Sequence, residues 1–126
     1  MIYEFCAENV TLLEKAMQAG ARRIELCDNL AVGGTTPSYG VTKAAVELAA
    51  NYDTTIMTMI RPRGGDFVYT DFEIAIMLED IRLTAQAGSQ GVVFGALTAD
   101  KKLDKANLEK LIAASKGMEI VFHMAF

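Results

Sequence analysis

Residues 23–27 read Arg-Ile-Glu-Leu-Cys. Side chains on a strand alternate between faces, so Arg23, Glu25 and Cys27 share one side and Ile24 and Leu26 the other. A sheet covered by helices on both faces reads apolar on both. This stretch has one apolar side and one polar side. The same asymmetry recurs along the chain. In the strand predicted at Ile2–Cys6, Glu4 and Cys6 oppose Tyr3 and Phe5. Past the strand predicted at Thr55–Ile60, Arg61 falls on the face of Met57 and Met59. In the strand that opens at Glu119–Phe122, Val121 and His123 oppose Ile120 and Phe122.

Helical patterns separate these strands. Val10–Ala19 reads as a helix, with Asn9 as its N-cap and Gly20 as its stop. Val41, Ala44, Ala45, Leu48 and Ala49 mark one face of a second helix. Thr70 and Glu73 have the spacing of a capping box, and Ile74, Met77, Leu78, Ile81 and Ala85 follow as an apolar stripe ended by Gly88. Gly91–Phe94 is a fourth strand. Asp104 caps a fourth helix with Leu108, Leu111 and Ile112 inside, and Gly117 ends it. The order β-α-β-α-β-α-β-α-β predicts an α/β fold with a parallel sheet and right-handed crossovers. A five-stranded doubly wound sheet and the first half of a TIM-type (β/α)8 barrel both have this order. Strand parity favours the barrel, whose helix side is apolar and whose upper interior holds chemistry. Residues 1–126 are expected to form one domain, a partial barrel.

Composition excludes several classes. The 126 residues are 52% hydrophobic and 22% charged, which is globular rather than disordered. The net charge is −4, and there is no Lys/Arg run, so neither nucleic acid nor anionic lipid is an expected partner. No apolar run has the length of a membrane helix, and the N-terminus MIYEFCAEN has no signal-peptide pattern. Two cysteines without a secretion signal are expected as reduced thiols in the cytoplasm. With two Cys and one His, a closed four-ligand zinc site is not expected.

In parallel α/β folds the site lies at the C-terminal strand ends. The sequence places Cys6, Cys27, Arg61, Gly95 and His123 there, with Glu4 and Glu25 one inward step below. Glu4, Glu25, Arg61 and His123 on one inner surface suit acid–base work on a small anionic substrate. The loop RPRGGDF adds an anion-binding candidate in Arg61, Arg63, Gly64 and Gly65, since arginine forks and glycine-turn N–H groups match carboxylate or phosphate. A tight structural turn is the competing reading of that loop. Arg63 is expected to face solvent or a loop carboxylate such as Asp66. Cys6 and Cys27 are expected to be buried at equivalent ends of adjacent strands, with Met57 and Met59 beside them, a soft sulfur surface that suits Cu(I).

EFCAEN at 4–9, RIELC at 23–27, GGTTPS at 33–38, IRPRGGDFVY at 60–69, GVVFGAL at 91–97 and FHMAF at 122–126 together resemble the CutC family, named for copper homeostasis. The resemblance implies a cytoplasmic TIM-type barrel and copper binding or tolerance. The family cysteines proposed as copper ligands match Cys6 and Cys27. Two departures are Met124, where the family often has Arg, and Thr35, where its glycine loop has Leu. The family barrel continues past this last motif, so the resemblance covers about the first half of a full-length member. Two functions are therefore expected. One is copper homeostasis with Cu(I) held by Cys6 and Cys27. The other is an enzyme working through Glu4, Glu25, Arg61 and His123. The open edges of a five-stranded piece also lead to an expectation of homo-oligomers, or of a longer product.

Overall fold

The structure, a computed structural model, describes residues 4–123. Its elements are β1 (Glu4–Glu8), α1 (Leu13–Gln18), β2 (Arg23–Cys27), α2 (Tyr39–Ala49), β3 (Thr55–Met59), α3 (Asp71–Gln86), β4 (Gly91–Phe94), α4 (Lys105–Ala114) and β5 (Glu119–Phe122). All pairings are parallel and the strand order is β1-β2-β3-β4-β5. Doubly wound sheets reverse their order at a switch point. This one never reverses, so successive right-handed crossovers lay every helix on the same face.

The burial pattern agrees. Ala7, Ile24, Leu26 and Ile56 pack with Leu13, Ala16, Met17, Ala45 and Ala49 in one helix-side core. Ile60, Val92 and Phe94 pack with Ile74, Met77, Ile81, Leu108 and Leu111 in another. The opposite face carries a small separate cluster of Cys27, Met57, Met59 and Val93, with Val121 against it. Thr58, a polar side chain on the helix side, is fully buried and bonded to the Ser89 hydroxyl at 2.9 Å, which satisfies it.

Strand registers align the inner face in rows. Cys6 pairs with Glu25, Glu25 with Met57, Met57 with Gly91 and Gly91 with Glu119. Gly91 is glycine because a Cβ there would run into the Met57 side chain and lie 2.6 Å from the Glu119 carbonyl. One step lower, Arg23 reaches Glu4 on β1 at 3.0 Å and Glu119 on β5 at 2.9 Å. Strands three apart in a flat sheet lie about 14 Å from each other. The bridge from β2 to β5 therefore reports a sheet already curled about its inner face.

Several local expectations hold. Thr70 and Glu73 form the capping box, Asp104 accepts from the Asn107 N–H, and β4 and β5 have the predicted bounds. Others are corrected. The helix expected at Val10–Ala19 begins at Leu13, and Asn9 does not cap it. Asn9 sits in the left-handed region, and its side chain donates to Asp28 at 3.0 Å, tying the end of β1 to the loop after β2. β1 runs to Glu8 rather than ending at Cys6; its expected start at Ile2 and Tyr3 lies outside the described residues, as does Met124. On α2 the buried face is Thr42, Ala45 and Ala49, so Ala44 turns outward. Ala85 is likewise exposed, and Ile112 stays 41% exposed. Among the described residues, no helix is long and apolar enough to cross a membrane.

Candidate functional site

The inner wall carries two distinct groups. The lower one surrounds a cavity of about 110 Å³ lined by Glu4, Cys6, Arg23, Glu25, Met57 and Val121, among others. Both cysteines are free thiols. Cys27 is 1% exposed, roofed by Gly34, whose Cα approaches so closely that an added Cβ would meet the Cys27 Sγ at 3.1 Å. Gly34 also has φ +96, which L side chains rarely adopt. Cys6 is exposed.

The register corrects the expected thiol geometry. Cys6 pairs with Glu25 and Cys27 with Glu8, so the thiols are diagonal neighbours rather than equivalent strand ends. The misreading follows from β1 being two residues longer at its C-terminal end than its sequence pattern implied. A step of one strand and two residues separates Cα atoms by about 8 Å, beyond the usual disulfide range of roughly 4.4–6.8 Å. Both residues share the inner face of the sheet, one on each of two adjacent strands.

This wall is acidic. Burial pushes the Cys27 thiol up to about 12, helped by Glu25, Cys6 and Glu8. Burial and then Glu25 and Glu4 raise Cys6 above its ordinary value. Glu25 is itself raised, chiefly by burial and then by Glu4, with Arg23 opposing. Both thiols are thus protonated in the free protein, and the surrounding carboxylates favour a cation over an anion. Among the described residues no group of three Cys, His, Asp or Glu side chains is placed to hold a metal ion. The donor set suits two-coordinate Cu(I), which needs only two thiolates, better than four-coordinate zinc.

The upper group sits past the strand ends. Arg61 follows β3 and is 4% exposed. Its Nη1 donates to the carbonyls of Val32 at 2.6 Å and Gly34 at 3.0 Å, and its Nη2 to Gly65 at 2.8 Å. The guanidinium carbon lies 4.6 Å from the centroid of Phe67, and Phe67 stacks on His123 at 5.1 Å. Arg61 therefore clamps the loop after β2 to the loop after β3. Thr36 reinforces the clamp, since its N–H and hydroxyl donate to the Arg61 carbonyl while its hydroxyl oxygen accepts from the Arg61 N–H at 2.8 Å. Burial and the adjacent Arg61 hold His123 below its ordinary pKa, so it is neutral at pH 7.

Glu4 and Glu25 are not in this group. Arg61 is four residues beyond Met57, the strand partner of Glu25, which is about 13 Å up the wall. The four residues expected to share a cavity are thus divided, with Glu4 and Glu25 below and Arg61 and His123 above. Arg63 faces Asp66, as expected, at 3.1 Å. It also forms a two-pronged pair with Glu73, at 2.6 and 3.3 Å, and donates to the carbonyls of Gly64, Asp66 and Val68. With these donors engaged, Arg63 ties the loop to the start of α3, which favours the structural turn over an anion cradle there.

Sequence reasoning missed Phe67 and Tyr69. Both lie in the glycine-rich loop after Arg61, where no periodicity tells which side chains turn inward. The Arg23–Glu119 bridge was missed as well. The shared parity of the two residues was legible, but not the curl that brings β5 across to β2.

The CutC family model matches residues 1–126. Among curated relatives, a CutC family protein of Streptococcus pyogenes is 55% identical and one of Enterococcus faecalis 52%, each over the whole chain and 60% of the relative. A CutC family protein of Vibrio vulnificus is 48% identical over 98% of the chain and 49% of its own length. The chain thus spans about half to three-fifths of these relatives. A solved structure of a CutC protein from Streptococcus agalactiae, whose name proposes a part in copper homeostasis, superposes with a TM-score of 0.95 at 49% identity. That match covers 99% of this chain and 60% of the solved one, and it establishes the strand–helix series as the first part of a TIM-type barrel.

Proposed function

The chain belongs to the CutC family, and from that premise we propose that its inner wall binds Cu(I) through Cys6 and Cys27 in a cytoplasmic copper-homeostasis role. One observation carries this reading: two free thiols lie on adjacent strands, on one inner face, inside an acidic field, with Met57 lining the same cavity as Cys6 and Met59 packed against Cys27. The competing enzyme reading needs Glu4 and Glu25 beside Arg61 and His123, and the wall holds the two pairs at different levels. When bound, copper is the cargo; Cys6 and Cys27 supply the thiolates, and Glu4, Glu8 and Glu25 supply negative charge around them.

Ligation by two raised thiols must release two protons. Apparent Cu(I) affinity then rises about a hundredfold per pH unit while both thiols remain protonated in the free protein. Competition with a Cu(I) chelator between pH 6.5 and 8 measures that slope. A slope near zero, or unchanged affinity in the Cys6→Ser, Cys27→Ser double variant, defeats the proposal. The unpaired outer edges of β1 and β5 fit closure by further strands, from a longer product or a second copy. Sedimentation of the protein at micromolar concentration tests the oligomer.

A further inference from the structure

Arg61 is the one arginine among the described residues that is buried, and no carboxylate pairs with it there; Arg23 and Arg63 each pair with two carboxylates and Arg82 with one. An enclosed cation balanced only by carbonyl dipoles and a ring face is expensive to keep. Three further observations converge on it. The Arg61 Nε, the Tyr69 hydroxyl and the His123 Nδ1 are all buried with no partner at full hydrogen-bond geometry, and the Tyr69 hydroxyl lies close enough to Arg61 to feel its charge. Tyr69 is 8% exposed. The rings of Tyr69 and His123 lie 6.3 and 5.1 Å from that of Phe67, which the Arg61 guanidinium covers at 4.6 Å. Buried polar atoms are nearly always satisfied, so three orphans around one aromatic ring at the strand ends of a barrel mark a ligand position.

We propose that Arg61, Tyr69 and His123 form an oxyanion-binding site for the carboxylate or phosphate group of a small molecule. The Arg61 Nε and the Tyr69 hydroxyl donate to it, and neutral His123 donates from Nδ1. Phe67 is the door. Its ring also lines a groove of about 540 Å³ between Gly65–Val68 and Leu97–Ala99, with Lys101 at the rim. The three atoms are shielded from solvent, so the anion enters when the ring swings toward that groove. The site is separate from the thiols and rests on neither copper nor turnover.

His123 is the chain's one histidine, so its imidazole resonances are unambiguous. Inorganic phosphate and acetate are titrated into the protein at matched ionic strength against chloride, with reductant and a copper chelator present. Saturable movement of the His123 resonances by either anion, with Kd at or below about 10 mM, is the expected result. The anion that binds decides between phosphate and carboxylate. Tyr69→Phe removes only the orphan hydroxyl, so it should weaken binding at least about tenfold while leaving thermal stability unchanged or higher. No response beyond chloride, undiminished binding by Tyr69→Phe, or a destabilised Tyr69→Phe protein would each overturn the site, the last by showing that the hydroxyl has a partner within the fold. Because copper is excluded from the titration, this result and the Cu(I) competition fail or succeed separately.

Discussion

The lower wall and the upper rim of this half-barrel share one face of one sheet and have opposite chemistry. Below, Glu4 and Glu25 line the cavity with Cys6, and a single arginine, Arg23, pairs with two carboxylates at the edge. Above, a buried arginine has no carboxylate among the described residues and lies beside two aromatic rings and a neutral histidine. The lower groups are strand residues whose direction is set by backbone alternation. The upper groups stand at strand ends and in loops, where direction is set by what each side chain can bond. A strand residue therefore keeps its face whatever surrounds it, while a loop residue takes its role from its neighbours.

Breaking the clamp is the largest perturbation that this contrast allows. Arg61→Ala strands the carbonyls of Val32, Gly34 and Gly65. With each of the three bonds to a charged donor contributing about 1.5–3 kcal/mol, a loss of at least about 4 kcal/mol is expected from the urea midpoint. A loss under about 1 kcal/mol would mean that the two loops are held by something other than Arg61. Next comes Gly91→Ala, which forces a methyl group against Met57 and the Glu119 carbonyl. The expected cost is about 1–3 kcal/mol. Shortening Met57 should recover only part of it, because the carbonyl does not yield; full recovery would show that β5 can shift away.

Arg23→Met separates the lower wall's electrostatics from its packing. Its partners Glu4 and Glu119 are largely exposed, so the expected loss is below about 1 kcal/mol and shrinks with added salt. A larger, salt-independent loss would mean that the bridge dictates the curl of the sheet. A subtler test is acid stability. His123 is held below its ordinary 6.5, so the unfolded chain binds its proton first. Its neutral form is favoured on folding, and stability declines as pH falls below about 6.5, levelling once the folded protein also takes the proton. In His123→Gln, the stability curve between pH 6.5 and 5 should flatten. An unchanged curve would assign the acid loss to other groups. The smallest effect is kinetic: a thiol reagent should modify exposed Cys6 well before buried Cys27, without unfolding. Equal rates would indicate that the Gly34 loop opens readily.

The order of elements, the capping box at Thr70–Glu73 and the inner parity of Glu4, Cys6, Arg23, Glu25, Cys27, Met57 and Met59 were legible in the sequence. Each depends on spacing alone, since alternation on strands and the 3.6-residue helical repeat are properties of the backbone. The motifs that resemble CutC also pointed to the family that the relatives confirm. The tertiary structure decided what spacing cannot carry. The length of β1 moved Cys6 one row below Cys27, because strand ends are set by pairing with a neighbour rather than by composition. The curl of the sheet let Arg23 reach Glu119 across three strands. The loop carbonyls that surround Arg61, the Phe67 ring against its guanidinium and the Tyr69 ring against that of Arg63 come from segments far apart in sequence or lacking any period. A residue's face follows from its own position in the chain; its partners follow from every other segment that folds against it.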